Sequence, residues 1–107
     1  MFFERGLGIP LSFSTDAPVS PLDPLPNIEW AVTHRENERI DVYSAVDNYT
    51  KSAAFANFCD TSVGRIAPGY LADLVFLDRD IFTIPPEDIH KAKVLKTFCA
   101  GETMYTA

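Results

Sequence analysis

The order of apolar and polar residues divides the chain into short elements. Ile9, Leu11 and Phe13 fall on alternate positions, the period of a β-strand over about 9–14, with Pro10 at its start. Before it, Phe2 and Phe3 followed by Gly6 and Gly8 read as a helix end with its glycine stop. After it, Ser14–Pro26 is a loop holding prolines at 18, 21, 24 and 26, four of the eight in the chain. Proline fixes φ and removes a donor, so this loop is predicted to be stiff. Asp23-Pro24 reads as a helix cap with proline in the first turn, and Ile28, Ala31 and Val32 form a brief helical stripe. The charged run over 33–39 is a solvated connection. The clearest helix spans about 41–58, where Val42, Ala45, Val46, Tyr49, Ala53 and Ala56 recur at helical spacing behind an Asp41 cap. Thr50 marks a break near its middle.

The texture changes after Cys59. Pro68-Gly69 occupies the centre of a type II turn over 67–70. Leu74, Val75, Phe76 and Leu77 are contiguous, the pattern of a strand that needs cover on both faces. A loop with Pro85 and Pro86 carries a short helical turn at about 86–90. The stretch from Lys93 to the end reads as two strands joined at Ala100-Gly101. The expected organisation is α+β, dividing at about residue 60.

Composition narrows the function classes. The chain has 107 residues, 47% of them hydrophobic and 22% charged, so it is globular rather than disordered. It is far too short for a complete (β/α)₈ barrel, which takes about 250 residues. A net charge of −6 gives no electrostatic footprint for nucleic acid or for an anionic membrane surface. No apolar run approaches the roughly 18 residues of a membrane helix. The segment MFFERGLGIP mixes acid and base within five positions, unlike a secretory signal, and a cytoplasmic location is the expectation. Cys59 and Cys99 form neither a disulfide framework nor a CxxC pair and are expected to be buried small apolar residues. With only His34 and His90, a multi-histidine metal site within this chain is not expected.

The candidate for chemistry is Asp16, at the end of the first strand. By itself an aspartate there is more simply a turn cap before Ala17-Pro18. His34 and His90 read as surface histidines. Trp30 is balanced between a pocket wall and helix packing, Tyr49 favours packing, and Glu36, Glu38 and Asp41 form a solvated acidic face.

Four segments carry a resemblance that changes the weight on Asp16. FSTDAPVSPLDPL at 13–25, YTKSAAFA at 49–56, VGRIAPGYLADLVFLDRD at 63–80 and VLKTFCAGETMY at 94–105 together resemble the C-terminal portion of amidohydrolase-superfamily enzymes. The nearer branch holds N-acyl amino acid deacylases and formamide deformylases. Ser14 and Thr15 stand where that family usually has glycine and serine. The resemblance implies that 1–59 is the last strand, loop and helices of an amidohydrolase (β/α)₈ barrel. It implies that 60–107 is the C-terminal part of a composite β-sandwich. It also implies a metal-dependent hydrolase of non-peptide C–N bonds, with Asp16 both binding a divalent metal such as zinc and handling the proton of its water. The family's histidine ligands lie on earlier strands absent from this sequence, so the chain alone is expected to be inactive and to hold no metal. Its expected partners are a small-molecule amide and either a second copy or an N-terminal hydrolase segment. The alternatives are a non-catalytic interaction module and a subunit completed by a chain carrying the other ligands.

Overall fold

A computed structural model describes residues 11–20, 22–37 and 39–107. Helix α1 spans Leu25–Thr33, α2 Val42–Tyr49 and α3 Lys51–Ala56. Strand β1 spans Leu74–Leu77, a 3₁₀ helix Pro86–Lys91, β2 Val94–Cys99 and β3 Glu102–Thr106. The strands form one antiparallel sheet in the order β1-β2-β3.

Each helix boundary follows from local chemistry. The cap of α1 is Pro24, one residue later than the sequence suggests, because the Pro24 carbonyl accepts the first helical bond from Ile28 N–H at 2.9 Å. Asp23 still contributes, its Oδ1 accepting from Leu25 N–H at 3.0 Å. Leu25, Ile28 and Ala31 repeat every three residues and form the buried stripe of α1. Asp41 caps α2 as expected, accepting from Ser44 N–H at 3.2 Å.

The single helix expected over 41–58 is two helices. Thr50 leaves helical geometry (φ −117°, ψ −85°), while its hydroxyl donates to the Val46 carbonyl at 2.8 Å. A threonine hydroxyl on the preceding turn competes with the backbone ladder and bends the chain there.

Both predicted turns form. Tyr70 N–H donates to Ala67 O at 3.1 Å across a turn with Gly69 at φ +88°. Ala100 (φ +50°) and Gly101 (φ +83°) both adopt the left-handed region that a two-residue hairpin requires. Asp73 Oδ1 accepts from Ala100 N–H at 2.8 Å and braces that turn from the start of β1.

Two expectations about strands change. Residues 9 and 10 lie outside the described residues, and 11–14 form no strand. Phe13 N–H donates to Asn48 O at 3.0 Å, a contact with a helix that cannot propagate a ladder. Nor is β1 covered on both faces: Val75 is 54% and Phe76 52% exposed. Leu77 at the end of β1 packs against the core, and Phe76 meets the Phe98 ring at 5.4 Å.

The core joins Leu25, Ile28 and Ala31 of α1 and Ala45 of α2 to Ile40, Ile81, Ile89 and Ala92. Ile89 on the 3₁₀ helix is fully buried. Burying such a side chain contributes about 1.5–3 kcal/mol, so the 3₁₀ helix is held against α1 by packing rather than by its own short ladder.

Candidate functional site

The segment leading to Asp16 meets the C-terminal end of α2, with the Phe13 ring edge-on to Tyr49 at 5.5 Å. The chain then turns sharply, with Asp16 at φ +50° and Ala17-Pro18 in the cis form. A left-handed aspartate is tolerated because its short polar side chain leaves room for the backbone turn. Both of its backbone groups are committed. Its N–H donates to Ser14 Oγ at 3.1 Å, and its carbonyl accepts from Val19 N–H at 2.9 Å. The carboxylate makes no hydrogen bond or ion pair with the described residues, and Asp16 is exposed.

Ser20 closes the loop by donating its hydroxyl to the Thr15 carbonyl. Its oxygen accepts from Asn27 Nδ2 on α1 at 3.4 Å. Beside this loop lies a cleft of about 240 Å³ lined by Phe13, Ser14, Ser20, Asn27, Trp30 and Tyr49. Larger hollows of about 350 and 590 Å³ touch none of the candidate residues. The smaller cleft carries more weight because Ser14 and Ser20 belong both to its wall and to the hydrogen bonds around Asp16.

The other candidates fall elsewhere. Trp30 is both wall and packing residue: it lines the cleft, is 47% exposed and stacks on His34 at 3.8 Å between ring centroids. Tyr49 is half-buried against the core and reaches the same cleft. His90 is exposed, as expected, but not idle. Its Nδ1 lies 2.6 Å from Glu29 Oε1, which also accepts from His90 N–H at 3.2 Å, tying the 3₁₀ helix to α1.

The cysteines are not the buried residues expected. Cys59 is half-buried, with Sγ directed at Ala54 O at 3.5 Å, and Cys99 is exposed. Cys99 ends β2 just before the hairpin turn. Glu36 is exposed, Asp41 is the α2 cap, and Glu38 lies outside the described residues.

No group of three or more histidine, cysteine, aspartate or glutamate side chains among the described residues is placed to hold a metal ion. Asp16 therefore stands without co-ligands among the described residues. Nor is any described helix long and apolar enough to cross a membrane.

Ser20 and Asn27 were not legible as site residues. Their only sequence signal is that short polar side chains in proline-rich loops commonly bond nearby backbone.

Comparison with known proteins gives a consistent result. The model of the amidohydrolase family matches residues 5–105. The chain is 35% identical over 109 residues to "Putative amidohydrolase YtcJ" of Bacillus subtilis (strain 168), covering 92% of this chain and 21% of that protein. It is 34% identical over 104 residues to "Protein LONG AFTER FAR-RED 3" of Arabidopsis thaliana, covering 89% of this chain and 18% of that protein. The chain thus spans about a fifth of the length of these relatives. Its fold is similar to the crystal structure of an amidohydrolase from Thermotoga maritima MSB8, with TM-score 0.73 and 22% identity over 94% of this chain and 24% of the other.

Proposed function

The chain belongs to the amidohydrolase family, and on that premise we propose that it is the C-terminal portion of a metal-dependent hydrolase of non-peptide C–N bonds, with Asp16 as its site residue. One observation carries this reading. The Asp16 carboxylate is exposed and has no partner among the described residues, while the backbone on both sides of it is held by Ser14 and Val19. Such a side chain has a fixed origin and a free head, as a ligand or a proton acceptor needs.

The residues of this chain do not fit zinc by themselves. A catalytic zinc takes about three protein ligands, and Asp16 supplies one anionic oxygen. What this chain contributes is a carboxylate oxygen that accepts a proton from the attacking water, next to an aromatic cleft that takes the organic part of an amide. Residues 1–59 then belong with the barrel that carries the remaining ligands, and 60–107 with a smaller sandwich. The partner is an N-terminal hydrolase segment, in the same polypeptide or another.

A second reading has its own support. Val75, Phe76, Leu95, Met104 and Tyr105 are all more than 40% exposed on one small sheet. A surface of that kind suits an interaction module or a pairing of two copies.

Reconstitution tests the first reading. This chain is supplied to the remaining roughly four-fifths of the Bacillus subtilis relative, and hydrolysis of N-acylated amino acids is followed with zinc present. Turnover should need both parts and fall by at least about 100-fold with Asp16→Asn. Unchanged turnover in that variant would remove Asp16 from the site.

A further inference from the structure

The loop that carries Asp16 is tied to α1 through two side chains. Asn27 Nδ2 donates to Ser20 Oγ at 3.4 Å, and the Ser20 hydroxyl donates onward to the carbonyl of Thr15. Thr15 immediately precedes Asp16, so this carbonyl is part of the peptide unit whose N–H donates to Ser14. The peptide entering Asp16 is thus held at both ends, its N–H by Ser14 and its C=O by Ser20. The carbonyl leaving Asp16 is held by Val19 N–H at 2.9 Å.

These tethers differ in reach. Ser14 and Val19 are neighbours of Asp16 in the same loop and move with it. Ser20 and Asn27 form the connection from the loop to α1, whose Leu25, Ile28 and Ala31 are buried in the core. Ser20 and Asn27 are themselves half-buried, so their bond is shielded from competing water more than an exposed pair would be.

We propose that Ser20 and Asn27 are positioning residues for Asp16: the Asn27–Ser20–Thr15 relay fixes where the Asp16 carboxylate stands relative to the helical core. The inference rests on the functional reading of Asp16 above. It assigns no contact between either residue and a substrate. It states that removing the relay frees the peptide before Asp16, so that the carboxylate keeps its chemistry but loses its place. A misplacement of about 1 Å in a reacting group can cost about 100-fold in rate.

The test has two arms. In this chain alone, backbone amide exchange is measured for Asp16, Val19 and the α2 amides. Ser20→Ala and Asn27→Ala should each speed exchange at Asp16 and Val19 by about tenfold or more and leave α2 unchanged, whereas Ser20→Thr, which keeps the hydroxyl, should exchange as the parent does. In the reconstituted hydrolase, the same two alanine variants should lower kcat by about 10- to 100-fold with KM within about twofold, and Ser20→Thr should restore kcat. Unchanged exchange at Asp16 and Val19 overturns the inference. So does unchanged kcat in the alanine variants when Asp16→Asn abolishes turnover, and that result leaves the role of Asp16 standing. Full turnover with Asp16→Asn removes the functional reading, and the positioning role with it.

Discussion

Two aspartates show how environment decides what a carboxylate does. Asp78 is fully engaged. Its two oxygens accept from Arg79 Nε and Nη2, both at 3.0 Å, and Oδ1 also accepts from Lys93 N–H at 2.9 Å. The Arg79 guanidinium, and then the Lys93 amide, hold its pKa down at about 2. A carboxylate whose pKa is lower folded than unfolded stabilises the fold above its unfolded value of 3.8, and that contribution is lost as pH falls toward about 2. Asp78→Asn should therefore lower stability at neutral pH and converge with the parent near pH 2, as read by urea unfolding across that range. Parallel curves down to pH 2 would show that the Arg79 and Lys93 contacts do not hold in solution. Asp16 is the opposite case, bonded through its backbone while its carboxylate has no partner among the described residues.

At the scale of elements, the region around α3 makes a firm demand on one residue. Gly64 has φ +94°, and a Cβ placed there would lie 2.9 Å from Ala54 Cβ and 3.0 Å from Thr50 O. Neither atom is the far end of a flexible side chain, so the strain cannot be relieved by a rotamer change. Gly64→Ala should destabilise the fold by about 1–3 kcal/mol, measured as a lowered denaturation midpoint with unchanged m. An unchanged midpoint would mean that α3 does not press on Gly64.

The elements also show what the sequence makes legible and what it does not. The Pro68-Gly69 turn, the Ala100-Gly101 hairpin and the Asp41 cap were readable because each depends on a few adjacent residues. The break at Thr50 was readable as a location but not as two helices, since a hydroxyl bond to the preceding turn leaves no hydrophobic signature. The tie between His90 and Glu29 spans 61 positions and depends on how the 3₁₀ helix lands on α1, which local pattern does not encode. Cys59 and Cys99 depart from the general preference for burial: Cys59 follows α3 and is half-buried, and Cys99 sits at the exposed end of β2 beside the hairpin turn. Asp16 was legible only through the segments around it. Its geometry was not legible, because a left-handed turn clamped by Ser14 and Ser20 has no periodicity.

The whole molecule has a small core and an open sheet. Its buried residues lie between the helices and the 81–92 segment, while β1 to β3 keep large apolar side chains at the surface. Such a surface is costly to leave in water, which is consistent with a chain that covers about a fifth of its relatives. On the proposed function, the layer over the sheet and the other ligands come from a segment outside these 107 residues, which would account for both the exposed sheet and the single carboxylate. The central claim is that the site is shared in this way. Zinc titration by calorimetry tests it most directly, on this chain alone and on the chain combined with the rest of the hydrolase. The account expects no stoichiometric zinc binding by the chain, one site in the combination, and an affinity at least about tenfold weaker there with Asp16→Asn. Tight one-to-one zinc binding by the isolated chain, or binding in the combination that ignores Asp16→Asn, would contradict it.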